Sequence, residues 1–212
     1  MDIRDATTED IDAIRRVAAD SLRTSYDHAI DEAVLTSAVD EWYSADRLTD
    51  GLADDSVVFV VAVDSGSVVG FAQSEISEGR ESVGYLDWLH VVPDHRGGGI
   101  GSQLLARLKQ ELVAAGVDRV EGRVLVENTA GVSFYEEQGF SEVGTRTVEI
   151  HGEAFEEVVY TRFLEDAGSD PSGLVEREAD GRTVYVAYDE SARGSGAPFF
   201  AVYLDENRER PY

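Results

Sequence analysis

The stretch Trp88-Leu-His-Val-Val-Pro-Asp-His-Arg-Gly-Gly-Gly-Ile-Gly-Ser102 carries the strongest structural signal in the chain. The apolar residues 83–91 predict a strand, and Pro93 ends it because proline has no amide hydrogen for a ladder hydrogen bond. Residues 100–115 carry leucines at helical spacing, so the glycines lie where a strand is followed by a helix. Glycines let the backbone approach a ligand closely, and the helix N-terminus adds the positive end of its dipole. The stretch therefore predicts a loop that binds a pyrophosphate group.

Other phosphate-binding loops fit this stretch less well. It lacks the Gly-Lys-Ser/Thr ending of a Walker-type nucleotide loop. Ser102 stands where a dinucleotide-binding fingerprint requires its third glycine, and the segment before the loop reads as a hairpin rather than a β-α-β unit. A tight turn without a ligand remains an alternative. The chain's only lysine, Lys109, and the arginines Arg96 and Arg107 lie in this loop and helix, which favours an anionic ligand.

The chain of 212 residues is strongly acidic, with 43 Asp and Glu against 18 Lys and Arg and a net charge of -25. Such a surface repels polyanions, so we expect neither nucleic acid nor an anionic membrane surface as a partner. The composition resembles that of the acidic, lysine-poor proteins of haloarchaea, in which molar salt screens the self-repulsion. It therefore predicts a halophilic protein.

Composition also excludes several kinds of site. The sequence contains no cysteine, which excludes disulfides, thiolate metal sites and cysteine nucleophiles, and its 4 histidines show no metal-ligand spacing. We therefore predict no metal site. No stretch reaches the roughly 20 apolar residues that a membrane helix needs, and the first residues lack the pattern of a signal peptide. We expect a cytoplasmic protein.

Hydrophobic periodicity predicts the element order ααβββαβαββ for residues 1–164. Antiparallel hairpins at both ends flank a β-α-β crossover, so the predicted fold is α/β, with a mixed sheet and helices on its faces. Residues 165–172 read as a linker because they are rich in turn-forming residues. Residues 173–212 are predicted to form a small β-meander extension, which is short for an independent core and is a candidate for a homodimer contact.

Two motifs in this order resemble those of a known family. Arg96-x-x-Gly99-x-Gly101, after a strand that ends in Val91-Val-Pro, resembles the acetyl-CoA signature of the GNAT (GCN5-related) N-acetyltransferase superfamily. The stretch from Asn128 to Phe140 is similar to that family's Asn-x-x-Ala-x-x-x-Tyr-x-x-x-Gly-Phe pattern, except that Gly131 occupies the usual alanine position. The resemblance covers residues 1–164 and implies the GNAT acyl-CoA N-acyltransferase fold, with a β-rich C-terminal extension.

The resemblance implies acetyl-CoA as co-substrate and gives roles to residues of this chain. Main-chain groups of Leu89 and Val91 would pair with the pantetheine arm as an added strand does, and the Val91 amide would polarise the thioester carbonyl. Asn128 would hold the cofactor arm or the helix that follows it. The pyrophosphate would be bound by the backbone amides of Arg96, Gly97, Gly98, Gly99, Ile100, Gly101 and Ser102.

Tyr135 and Asp87 are the predicted catalytic residues. The resemblance implies that Tyr135 protonates the departing thiolate; a tyrosine that only packs on its short helix is the alternative. Asp87 stands where relatives resembling polyamine and thialysine acetyltransferases carry Leu-Glu-Asp, so its carboxylate would act as a base through water. His90 has a more suitable unperturbed pKa, but strand alternation puts it on the opposite sheet face from Asp87 unless a bulge intervenes. Glu75 and bulk water are further alternatives for the base.

The implied activity is the transfer of an acetyl group from acetyl-CoA to a primary amine by direct attack in a ternary complex. The acceptor stays open between a small metabolite, a polyamine and a protein amine. In the family it usually lies against the first helical pair, here about residues 21–41, where Tyr26, Asp27, Asp31 and Glu32 would suit a cationic amine. A non-catalytic acyl-CoA-binding or regulatory module is the alternative function.

Overall fold

The computed structural model describes residues 1–77, 82–150, 152–164, 174–179, 182–188 and 200–203. The chain divides into two compact units, Met1–Leu164 and Glu165–Tyr212. The predicted linker, residues 165–172, lies outside the described residues. Within the described part of the chain, no helix has the length and apolarity needed to cross a membrane.

The first unit alternates helices and strands around one sheet. In chain order its elements are β1 (Asp2–Asp5), α1 (Ile11–Tyr26), α2 (Glu32–Trp42), α3 (Ala45–Ala53), β2 (Val57–Asp64), β3 (Ser67–Ser77), β4 (Val83–Val91), α4 (Ile100–Ala114), β5 (Arg119–Leu125), α5 (Thr129–Glu137), β6 (Ser141–Ile150) and β7 (Glu153–Phe163).

The predicted mixed sheet is confirmed. Its strand order is β1-β2-β3-β4-β5-β7-β6, and β4 and β5 run parallel because α4 crosses over between them, whereas the other neighbouring pairs are antiparallel. One face of the sheet packs against α1 and α3 through residues such as Ile14, Val17 and Leu48. The other face packs against the leucines of α4, including Leu104 and Leu108. The site described below lies where the parallel pair separates.

The predicted element order was wrong in omitting two elements. Strand β1 has only 4 residues and carries aspartates at both ends, so it shows no readable alternation; its pairing with β2 defines it. Helix α3 begins after Ser44, whose hydroxyl accepts a hydrogen bond from the Arg47 amide at 3.4 Å. The threonine at position 7 caps a short 3-10 turn, and α1 itself begins at Ile11.

The second unit contains a three-stranded antiparallel sheet. Its strands are β8 (Leu174–Ala179), β9 (Arg182–Tyr188) and β10 (Phe200–Tyr203), in the order β10-β9-β8. Residues 180–181, between β8 and β9, lie outside the described residues. The strands occupy the segments in which the sequence predicts a meander.

Candidate active site

The parallel pair β4–β5 opens like a fork. Their pairing extends only from Val83 with Arg119 to Leu86 with Gly122, although both strands continue beyond that point. A cavity of about 380 Å³ lies at this opening, lined by both strands, the glycine-rich loop, α1 and α5. A split sheet therefore presents strand edges to a ligand in the interior of the fold.

The open edge of β4 offers main-chain donors. The Val92 amide donates to the Val69 carbonyl at 2.9 Å on the β3 side. Because amide direction alternates along a strand, the amides of Leu89 and Val91 face the open side, where β5 has separated. The Val91 carbonyl already accepts a hydrogen bond from Arg96 Nε at 3.1 Å, so the Val91 amide is the group left for a ligand there.

The N-terminus of α4 differs from those of α2, α3 and α5. Asp31, Ser44 and Asn128 cap those helices with a side-chain oxygen, whereas α4 begins after Gly99, with no side-chain cap and no acidic residue in its first turn. Its first amides are therefore free to bind an external anion, and the helix dipole favours one.

The loop before α4 has the backbone shape that a pyrophosphate needs. Gly97 and Gly99 have φ angles of 73° and 80°, in the region that favours glycine. A Cβ atom built at Gly97 would meet no atom within 4 Å, so the glycine is required by conformation rather than by crowding. The loop and the uncapped helix together present backbone amides where the sequence predicts a pyrophosphate site.

The Arg96 side chain holds this loop in place rather than pointing freely at a ligand. Its guanidinium donates from Nη2 to the carbonyl and the hydroxyl of Ser21, at 3.2 and 3.0 Å, and to the Ser25 hydroxyl at 3.4 Å. Together with the bond to Val91, these contacts join the glycine-rich loop, β4 and α1. Arg96 is therefore a positioning residue for the predicted pyrophosphate site.

Replacing Arg96 by lysine is expected to raise the Kd for acetyl-CoA about tenfold, which corresponds to about 1.4 kcal/mol. Lysine keeps the charge but loses the planar fork that reaches Val91 and Ser21 together. Isothermal titration calorimetry measures the change. Arg107→Lys is the matched control, because Arg107 pairs with Asp5 and Glu111 and does not line the cavity. An equal loss in both variants would show that the contacts of Arg96 with Val91 and Ser21 are not the cause.

Tyr135 on α5 lies over the fork. A Cβ atom added at Gly122 would stand 2.5 Å from the Tyr135 hydroxyl, so the glycine in β5 makes the space that the ring fills. The ring stacks on Tyr160 with centroids 5.1 Å apart and an interplanar angle of 8°. Burial raises the pKa of the Tyr135 phenol above its usual value, opposed by a hydrogen bond from the Arg123 backbone. The phenol is therefore protonated at neutral pH and borders the cavity.

A β-bulge in β4 places Asp87 in the same cavity as His90. The register with β3 passes from Gln73 opposite Trp88 to Ser74 opposite Leu86, which leaves Asp87 without a partner. The extra residue cancels the alternation that would separate the two side chains, and both line the cavity. Loss of hydration at its site, helped by repulsion from Glu75, raises the pKa of Asp87 to about 6.

His90 is poorly suited to act as a base. Its Nε2 is 2.8 Å from the Tyr43 hydroxyl and its Nδ1 is 3.0 Å from the Ser21 hydroxyl, so both ring nitrogens are engaged. Burial, with a smaller effect from the charge of Arg96, lowers the pKa of His90 to about 4. The ring is therefore neutral and connects α1 and Tyr43 rather than exchanging protons.

Asn128 organises the other side of the fork. Its Oδ1 accepts from the Gly131 amide at 2.9 Å as the N-cap of α5, and its Nδ2 donates to the Tyr26 hydroxyl at 3.2 Å. Gly131, which replaces the alanine usual in the resembling motif, is required here because a Cβ atom would lie 2.8 Å from Val124 Cγ2 and from Asn128 Nδ2. The departure from the motif thus has a local steric reason.

The structure brings the predicted cofactor-binding and catalytic residues together, because all of them except Gly98 line the cavity. Sequence reasoning missed Ser21, which anchors both Arg96 and His90, and Gly122, which makes room for Tyr135. A single glycine inside a strand often marks a close approach of another group, so the role of Gly122 could have been predicted from the sequence. The role of Ser21 could not, because its partners His90 and Arg96 are 69 and 75 residues away in the chain.

Comparison with known proteins agrees with this geometry. The model of the acetyltransferase (GNAT) family matches residues 17–140, which is more than half of the chain. The chain belongs to the GNAT acetyltransferase family. A model of a family of unknown function, DUF5816, matches residues 180–212.

Individual relatives are similar over part of the chain. Acetyltransferase SG1711 of Sodalis glossinidius is 36% identical over 85 residues, covering 40% of this chain and 58% of that protein. Acetyltransferase ECA0875 of Pectobacterium atrosepticum is 33% identical over 97 residues, covering 46% of this chain and 67% of that protein. The chain thus spans about three fifths to two thirds of these relatives. The crystal structure of PaiA N-acetyltransferase from Thermoplasma acidophilum in complex with coenzyme A shares the fold, with a TM-score of 0.63 at 22% identity over 74% of this chain and 96% of that one.

Proposed function

We propose that this protein is an acetyl-CoA-dependent N-acetyltransferase that acetylates a primary amine by direct attack in a ternary complex. The observation that carries the proposal is the fork between β4 and β5, with an uncapped helix N-terminus at one end and Tyr135 and Asp87 at the other. A ligand with an anionic end and an extended arm matches this sequence of groups.

The chain's own groups would hold the co-substrate along the fork. Amides of residues 96–102 would bind its pyrophosphate at the start of α4, and the main chain of Leu89 and Val91 would pair with its pantetheine arm. Asn128, whose Oδ1 caps α5 and whose Nδ2 is bonded to Tyr26, would fix the opposite wall.

When bound, acetyl-CoA supplies an activated acetyl group, whose C–S bond breaks as the C–N bond to the acceptor forms. The Val91 amide would donate to the acetyl oxygen as negative charge develops there. Asp87 would take the proton of the acceptor ammonium, directly or through water, and Tyr135 would donate a proton to the leaving sulfur. Asp87 and Tyr135 thus have opposite tasks, which matches a carboxylate with a pKa of about 6 beside a buried phenol.

The alternative is a module that binds acyl-CoA without catalysis. The raised pKa of Asp87 favours the enzyme, because a carboxylate that must exchange protons near neutral pH is a typical catalytic device. A binding module needs the glycine-rich loop but has no use for a base at the far end of the fork.

The test is release of free thiol from acetyl-CoA in the presence of a panel of amines. The absence of cysteine means that a thiol reagent detects only product. The net charge of -25 supports the further proposal of a salt-rich cytoplasm as the working environment, so the assay is run in concentrated KCl. We expect turnover with one class of acceptor. Binding of acetyl-CoA without turnover on any amine would favour the binding module. Absence of acetyl-CoA binding would overturn both the enzyme and the binding module.

A further inference from the structure

A second cavity of about 300 Å³ meets the first one at the catalytic end of the fork. Both cavities are lined by Leu22, Tyr26, Asp87 and His90. Asp87 therefore faces the two spaces at once. If the first cavity holds the acetyl donor, the second is the space from which an amine reaches Asp87.

The walls of the second cavity are apolar on opposite sides. Residues before and within α2 form one side, and residues of β5 and β6 form the other. The side chains that make these walls are Ile30, Val34, Leu35, Trp42, Leu125 and Ile150. A bound group in contact with them is stabilised by burial of apolar surface rather than by charge.

The polar groups of this cavity carry negative charge or are already paired. Carboxylates at Asp87, Glu149 and Glu157 line it, and neither lysine nor arginine is among its described lining residues. Glu157 accepts a hydrogen bond from Arg146 Nε at 2.7 Å, whereas Asp87 stands at the junction with the first cavity. Tyr43 and His90 are bonded to each other.

The acidic acceptor contacts predicted around the connection between α1 and α2 do not line this cavity. Asp27, Asp31 and Glu32 do not line it, and Asp31 instead caps α2 by accepting from the Ala33 amide at 2.8 Å. Of the group that the sequence singled out, only Tyr26 borders the space. Recognition of the amine therefore falls to Asp87, with an apolar wall behind it.

We propose that the acceptor is a primary amine on a compact apolar carbon skeleton, with a single positive charge and no carboxylate beside the amine. The inference rests on the proposed acetyltransferase function and names its substrate class. Of the carboxylates other than Asp87, Glu157 is paired with Arg146 and Glu149 is exposed. A second ammonium inside the cavity would therefore lie against the apolar wall, where it loses its hydration. A carboxylate next to the amine would face Asp87 and its acidic neighbours, which repel it.

Matched acceptors test this proposal with acetyl-CoA in concentrated KCl. Isoamylamine has the apolar skeleton alone, leucine adds a carboxylate to the same skeleton, and cadaverine has a second ammonium at similar length. We expect kcat/KM for isoamylamine to exceed those for leucine and cadaverine at least tenfold. A short peptide with N-terminal leucine separates the two sources of such an amine. If its kcat/KM equals or exceeds that of isoamylamine, the apolar amine belongs to a protein N-terminus. If its kcat/KM is lower, the amine belongs to a small metabolite.

The outcomes separate this inference from the function on which it rests. Equal or faster turnover of cadaverine or leucine would overturn the inference and leave the acetyltransferase proposal standing. Binding of acetyl-CoA with no turnover on any of the four acceptors and the wider panel would overturn the acetyltransferase proposal, and the inference with it.

A pair of variants on α2 tests the location of the acceptor. Val34→Asp puts a carboxylate into the apolar wall, whereas Ala33→Asp puts the same group one residue away, outside the cavity lining. Both positions lie in the first turn of α2, where a carboxylate favours the helix, so both variants should fold, as thermal melting checks. We expect Val34→Asp to lower kcat/KM for isoamylamine at least tenfold and to lower the ratio of kcat/KM for isoamylamine to that for cadaverine. Ala33→Asp should leave both quantities unchanged. Unchanged kinetics in a folded Val34→Asp variant would overturn the proposal.

Discussion

Replacing Tyr135 by phenylalanine is expected to lower kcat about 100-fold while the Kd for acetyl-CoA stays within about twofold of its original value. The substitution removes the phenolic proton donor but keeps the ring that fills the space over Gly122 and stacks on Tyr160. Steady-state kinetics and calorimetry with acetyl-CoA measure the two quantities separately.

Tyr160→Phe is the control for this experiment. It removes a hydroxyl from the ring stacked on Tyr135, but Tyr160 does not line the cavity. If Tyr135 only packs, the two variants should behave alike and retain most of their activity. A kcat for Tyr135→Phe within about threefold of the unaltered protein would contradict the role of general acid.

Replacing Asp87 by asparagine is expected to lower kcat/KM about 100-fold at pH 8, because the base is lost. In the unaltered protein kcat/KM should fall as pH decreases through about 6, where Asp87 takes up a proton. The variant should lack this acidic limb. A variant that keeps both the rate and the limb would exclude Asp87 as the base.

Glu75→Gln separates the two carboxylate candidates for this role. Repulsion from Glu75 contributes to the raised pKa of Asp87, so removing that charge should move the acidic limb to lower pH and keep it. If Glu75 were the base, the limb would disappear in Glu75→Gln and remain in Asp87→Asn.

The same pKa shift has a consequence for stability with a definite sign. The fold raises the pKa of Asp87 from 3.8 to about 6, so the ionised form is less favourable in the folded protein than in the unfolded chain. This destabilisation develops between pH of about 4 and 6 and is complete above that window. Asp87→Asn should therefore raise the melting temperature at pH 7 while it lowers activity, and this gain should vanish at pH 4.

The sequence predicted the fold where the hydrophobic periodicity was strong and where proline or glycine marked the end of an element. The predicted strand over 83–91 is β4, and the leucine spacing after Gly99 predicted α4 to within one residue at its end. Strand β1 was missed, because its four residues, with an aspartate at each end, show no alternation of apolar and polar side chains. Only its pairing with β2 defines the strand. Short edge elements depend on their neighbours more than on their own residues.

The candidate site was predictable where one continuous segment provides the function. The loop from Arg96 to Ser102 is local, so its glycines and the following helix could be read together. The relation between Asp87 and His90 was not readable, because it depends on a bulge that appears only in the register with β3. The apolar wall of the second cavity joins α2 to β5 and β6, which are far apart in the chain.

The fork between β4 and β5 also bears on how this fold avoids aggregation. Unpaired strand edges commonly recruit strands from other chains, and proteins protect outer edges with charges, bulges or covering segments. Here the unpaired edge of β4 beyond Leu86 is recessed between α1, α5 and the glycine-rich loop. A narrow, flexible molecule can reach it, whereas a flat strand of another protein cannot enter beside those walls. The protein thus keeps a sheet edge available for recognition without offering it for self-association.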